Sequence, residues 1–158
     1  MQIWYMEPYP CGDRRMPHHV FPPKVIGIDT LQSVTGVTYF KVDIDNTVAM
    51  KKRLTCIRTE RNKVPAEIVV LDSETIPNLN AKLDDLYEPV TLDDEQVVMV
   101  TDGAMYYDIE YEDSEWIRIL VERGDLIIIP KGVSHRCTTT PKDYAKIQRF
   151  SNRDVIQG

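Results

Sequence analysis

The chain has 158 residues, of which 42% are hydrophobic and 28% are charged. This composition predicts a folded domain with its own core and argues against intrinsic disorder. The formal net charge of −6 argues against a nucleic-acid partner, because phosphates attract clustered lysine and arginine, and no apolar run is long enough to span a membrane.

The first part of the chain predicts an arm followed by helices. Residues 1–25 contain five of the ten prolines, so we predict that they form an extended N-terminal arm laid over the rest of the domain. Apolar spacing and capping residues predict the elements that follow. These are a short helix ended by Gly36, a strand over residues 37–42, a helix fading near Asn62, and a helix between residues 76 and 87.

After Pro89 the apolar spacing changes from that of helices to that of strands. Short apolar runs alternate with turns that contain glycine, proline or acidic residues, which is typical of closed or sandwiched antiparallel sheets. The predicted strands cover residues 97–100, 105–111, 116–121 and 126–129, and Asp102 with Gly103 is predicted to close the first. We therefore expect one mainly β domain of the α+β type over residues 1–158.

One segment carries a recognisable pattern. Residues 124–135 have the form G-x5-P-x-G-x2-H, which resembles the second signature of the cupin barrels, with Thr139 in place of its final asparagine. In that pattern Pro130 and Gly132 form a corner, and His135 begins the next strand facing the barrel lumen.

Shorter runs from both ends of the chain resemble one cupin family. They are MQIWYM at 1–6, GDR at 12–14, YFK at 39–41, RTERN at 58–62 and WIRI at 116–119. Together with the G-x5-P-x-G-x2-H segment they resemble the acireductone dioxygenases of the methionine salvage pathway over almost the whole chain.

This resemblance implies a cupin-type double-stranded β-helix, or jelly-roll barrel, and a metal centre. Such enzymes hold Fe(II) or Ni(II) through three histidines and one glutamate, arranged as H-x-H-x3-E with a distant third histidine, here His135. The metal binds 1,2-dihydroxy-3-keto-5-methylthiopentene, which O2 then cleaves. Two histidines at alternate positions of a strand suit this role, because they face the same side.

The H-x-H pair is missing here, and two alignments of the first signature remain open. Matching the string LDDE places Pro89 and Thr91 at the histidine positions and Glu95 at the carboxylate. In this alignment His135 and Glu95 are the residual metal-ligand positions.

The second alignment has no gap and places Val90, Leu92 and Gln96 at the same three positions. It keeps the usual six residues between the carboxylate position and Gly103, which favours it. Because side chains alternate along a strand, the two alignments put opposite faces into the barrel. In this alignment His135 alone remains.

Other features also depart from the resemblance. The remaining histidines, His18 and His19, are adjacent in the N-terminal arm and point to opposite sides of an extended chain, so joint chelation is not expected. The arginine that follows the ligand glutamate in the family falls at Val97 or Val98. The C-terminal, tryptophan-containing segment of the family is expected to be absent.

We therefore predict a divergent, inactive acireductone dioxygenase homologue, a pseudoenzyme or binding protein for which no cofactor is expected. A monomer is expected, with a protein partner or a small methylthio metabolite as its ligand. The three separated cysteines predict free thiols in a reducing compartment, hence a cytoplasmic or nuclear location.

Two alternatives remain. The first is a metal-dependent oxygenase acting on the same substrate with a non-standard ligand set drawn from His135, Glu95, Asp94 and Cys137; otherwise Cys137 is a small buried thiol. The second is a small-molecule binding module that uses an apolar lumen enriched by Val90, Leu92 or Val97.

Overall fold

The computed structural model describes residues 1–152. The sequence analysis expects the family's tryptophan-containing C-terminal segment to be absent. Residues 153–158, on which that expectation rests, lie outside the described residues. Within residues 1–152, no helix is long and apolar enough to cross a membrane. The elements are β1 (Gln2–Tyr5), α1 (Ile28–Thr35), β2 (Thr38–Lys41), α2 (Thr47–Arg61), β3 (Lys63–Asp72), α3 (Leu79–Tyr87), β4 (Gln96–Glu112), β5 (Glu115–Glu122), β6 (Asp125–Ile129), β7 (His135–Thr139) and β8 (Tyr144–Asn152).

Strand β4 is long enough to belong to two curled antiparallel sheets. Its first half pairs with β6 and β8, and its second half pairs with β5 and β7. Strand β1 adds to β5, β2 adds to β6, and β3 adds to β8. The sheets enclose an apolar core, which is the predicted mainly β architecture of a double-stranded β-helix.

Asp102 and Gly103 lie inside β4, so the prediction that they close a strand was wrong. A bulge between Val100 and Asp102 bends β4 from one sheet into the other, and Gly103 has a φ of +73°. The same residue types favour turns and bulges, since both need backbone conformations that glycine adopts easily. The pairing partner, rather than the local sequence, decides between them.

The N-terminal arm also differs from its prediction, because its first residues form β1. In β1, Ile3 pairs with Ile119 and Trp4 with Arg118. Ile3 and Trp4 are buried, and the prolines begin only at Pro8, so the first residues are free to pair with a sheet edge. The rest of the arm is mostly irregular.

Side chains of β4 alternate between two apolar clusters. Val98 and Val100 face the interior between the sheets. Val97 and Met99 face the other way and belong to the cluster on which α2 packs through Ile57. Beyond the bulge the alternation is offset by one residue. Even-numbered positions before the bulge, and odd-numbered positions after it, therefore face the lumen.

An ionic cluster, formed by Tyr87, Asp108, Arg118 and Arg136, fills the outer side of β4, β5 and β7. Asp108 and Arg118 are fully buried, and Arg118 Nε donates to Asp108 Oδ1 at 2.7 Å. Arg136 Nε and the Tyr87 hydroxyl both donate to Asp108 Oδ2, at 3.1 and 3.0 Å. Arg118 Nη1 also donates to the carbonyl of Arg14 at 2.8 Å, so the ionic cluster ties the N-terminal arm to the barrel.

Candidate functional site

A pocket of about 220 Å³ opens at one end of the barrel. Its inner part is lined by Gln96, Tyr107, His135, Cys137 and Arg149. These residues come from β4, β7 and β8, so three strands of the barrel hold them. A pocket with apolar walls and a few convergent polar groups is the usual form of a small-molecule site.

His135 begins β7 and lies in this pocket, as predicted. The corner before it contains Gly132, whose φ of +78° favours glycine. The Nδ1 atom of His135 lies 3.0 Å from the carbonyl oxygen of Val133, which can only accept a hydrogen bond. Nδ1 therefore carries the proton and Nε2 is an acceptor. Burial is the main cause that lowers the pKa of His135, which favours this neutral form.

The segment opposite His135 supplies the residues of the gapless alignment. Val90 and His135 exchange two backbone hydrogen bonds, of 2.9 and 3.0 Å, so the two segments lie side by side. Val90, Leu92 and Gln96 all line the pocket. Two aliphatic side chains and a carboxamide thus occupy the positions where the H-x-H-x3-E pattern has its donors.

Glu95, predicted by the other alignment as a residual metal-ligand position, lies outside the pocket, and this prediction is corrected. Arg61 Nη1 donates to Glu95 Oε2 at 2.7 Å, and Lys63 Nζ donates to Asp94 Oδ2 at 3.1 Å. Gln96, the first residue of β4, lines the pocket, whereas Glu95 precedes the strand and is held by Arg61. Neither Asp94 nor Glu95 therefore joins His135.

The two histidines of the N-terminal arm have structural contacts. The ring of His18 lies 2.7 Å from Glu7 Oε1 and 2.7 Å from the carbonyl oxygen of Asp13. His19 stacks on Trp4 with 4.4 Å between ring centroids. Both rings thus contact residues of the N-terminal arm.

Cys137 shares the lumen with His135, as their spacing in β7 predicts, and it is a buried thiol. Tyr107 lies directly opposite on β4. Burial raises the pKa of Cys137 to about 12. The thiolate that a metal would need is therefore costly to form.

We expect two of the three thiols to react with an aromatic disulfide reagent in the native protein at pH 8. Cys11 and Cys56 are exposed and Cys137 is buried, and the thiolate is the reacting species. The third thiol is expected to react only in denaturant, and absorbance of the released aryl thiol counts each class. Three fast thiols in the native protein would contradict the placement of Cys137.

The donor set of the pocket does not fit the Fe(II) or Ni(II) centre that the family resemblance implies. Of the four ligand positions, only His135 carries a side chain of the required type, and Gln96 offers a neutral amide in place of a carboxylate. Over residues 1–152, no three His, Cys, Asp or Glu side chains are grouped so that they could hold a metal ion. Non-haem iron sites with open positions use imidazole and carboxylate ligands.

Residues 2–156 match the sequence model of the ARD/ARD' family. The chain belongs to this family. "Probable inactive acireductone dioxygenase 1" of Caenorhabditis elegans is 52% identical over 155 residues, which cover 98% of this chain and 97% of that protein. Human acireductone dioxygenase is 35% identical over 150 residues, which cover 95% of this chain and 82% of that protein.

A solved member shows that the fold is also shared. The acireductone dioxygenase of Bacillus anthracis, determined with a cadmium ion in its active centre, superposes with a TM-score of 0.73 at 19% identity. The match covers 94% of this chain and 91% of that one. The family resemblance and the cupin-type barrel predicted from the sequence are thereby confirmed.

The expectation that no cofactor is involved was wrong at the level of the family, because the active centre of the Bacillus anthracis acireductone dioxygenase holds a metal ion. The expectation was based on a count of histidines. Such a count gives the number of donors that a site keeps. It does not tell whether an ion is held by fewer side chains together with water, as open metal sites often are.

Proposed function

We propose that this ARD/ARD' family member is catalytically inactive and acts as a binding protein through the pocket at the barrel end. The observation that carries the proposal is the set of side chains facing His135. Val90, Leu92 and Gln96 stand where the family has two imidazoles and a carboxylate. Relatives named as probable inactive acireductone dioxygenases are 46–52% identical to the chain, which supports the proposal.

The pocket itself supports a binding role. It is about 220 Å³ in volume, and Val90 and Leu92 of its wall are exposed. Exposed aliphatic surface costs free energy in water, and a ligand that covered it would recover part of that cost.

We expect no oxygen consumption above the protein-free rate when 1,2-dihydroxy-3-keto-5-methylthiopentene is added to the protein. The assay uses an oxygen electrode, with the protein pre-incubated with Fe(II) or, separately, Ni(II). An acireductone dioxygenase with the complete H-x-H-x3-E pattern serves as the active control. Oxygen uptake well above the blank that disappears in His135→Ala would show that the chain is an enzyme.

A further inference from the structure

Building on the binding role proposed above, we propose that the pocket takes an uncharged small molecule that joins an apolar tail to a hydroxyl or amide group. Three features of the pocket define this class. They are an apolar wall at the mouth, the hydrogen-bonding groups of His135 and Gln96 inside, and guanidinium groups that already have carboxylate partners.

The apolar wall is formed by Leu86 of α3 with Val90 and Leu92. Val90 is 44% exposed and Leu92 is 39% exposed, although both line the pocket. Covering exposed aliphatic surface is favourable by roughly 25 cal/mol per Å². An alkyl or thioether tail is the chemistry that such a wall recognises.

The inner atoms need a ligand that both donates and accepts a hydrogen bond. Nε2 of His135 is an acceptor, because Nδ1 donates to the carbonyl of Val133. The carboxamide of Gln96 also lines the pocket, and it offers both a donor and an acceptor. A hydroxyl or an amide can pair with both residues, whereas a hydrocarbon can pair with neither.

The charges around the pocket disfavour an ionic ligand. Arg149 Nη1 donates to Glu67 Oε1 at 2.9 Å, and Arg136 is paired with Asp108. A carboxylate ligand would have to pass Asp85 and Glu88, which line the pocket beside α3. A cation would be attracted by these two carboxylates, which are exposed at the mouth, but inside the pocket it would meet the guanidinium group of Arg149. A charged head group of either sign would therefore lose part of its hydration inside the pocket without gaining an unpaired counter-ion there.

The test compares three probes with one tail and different head groups: hexan-1-ol, hexanoate and hexylammonium. We titrate each into ¹⁵N-labelled protein at pH 7 and follow backbone amide shifts. Hexan-1-ol is expected to shift the signals of residues 90–96 and 135–137. It should bind at least about tenfold more tightly than either ion, because each ion would lose part of its hydration in the pocket.

A matched pair of variants locates the binding. Leu92→Ser removes part of the apolar wall and is expected to weaken hexan-1-ol binding at least threefold. Ile68→Ser changes an aliphatic side chain on β3 that is 58% exposed and lies outside the pocket, and it should leave binding unchanged. Thermal melting of both variants checks that they fold.

Two results would overturn the ligand class. One is binding of hexanoate or hexylammonium at these residues as tightly as hexan-1-ol, which would leave the binding role intact. The other is no binding of hexan-1-ol, or binding that Leu92→Ser does not weaken. Catalytic inactivity is judged separately, because the oxygen-uptake assay uses none of these probes.

Discussion

Replacing Asp108 with asparagine is expected to lower the free energy of unfolding by about 3–5 kcal/mol. Asp108 is fully buried and is the acceptor for Arg118, Arg136 and Tyr87 within the ionic cluster. Asparagine has nearly the same shape but no charge, so two guanidinium groups would remain without their counter-ion. Urea unfolding followed by circular dichroism measures the change.

The matched control is Asp45→Asn, which removes one carboxylate from the exposed ion pair with Arg123. Solvent and salt screen such a pair, so the unfolding midpoint should stay close to that of the unchanged protein. If both variants shifted the midpoint by similar amounts, the buried cluster would not be a main source of stability.

A triple variant, Val90→His, Leu92→His and Gln96→Glu, is expected to bind Ni(II) far more tightly than the unchanged chain. These substitutions complete H-x-H-x3-E on the segment that faces His135, so four suitable donors would line one pocket. The gain should exceed the roughly 10–100-fold effect of changes outside the ligand shell. Isothermal titration calorimetry with Ni(II) measures the dissociation constant.

The other alignment supplies the control for this variant. Pro89→His with Thr91→His also completes the pattern in sequence, because Glu95 is already present. Those positions alternate with the pocket-lining ones, and Glu95 is paired with Arg61, so no comparable gain is expected. A larger gain in this double variant than in the triple variant would mean that the opposite face of the strand points into the barrel.

Much of the fold follows from local sequence, and the exceptions have a common cause. The helix ends at Gly36 and Asn62 agree with the structure, where both residues have positive φ. Strand β3 is missing from the sequence prediction because most of its side chains are not buried, so it shows no clear apolar pattern. Its pairing with β8 joins segments about 80 residues apart.

Strand length within the barrel is a second exception. The two strands predicted on either side of Asp102 and Gly103 are one strand, β4, which bends at the bulge between Val100 and Asp102 instead of turning back. Gly103 follows this bulge and lies against the backbone of Tyr144 in β8. Contacts of this kind come from distant parts of the chain and leave no local signature.

The amino-acid sequence by itself determined the family, the corner that carries His135, and the absence of a histidine pair opposite it. These depend on residue identity, which can be read without coordinates. Only the tertiary structure decided that Val90, Leu92 and Gln96 face His135, while Glu95 pairs with Arg61. The physical reason is that a shift of one residue exchanges the two faces of a strand, and only distant partners determine which face lies inside the barrel.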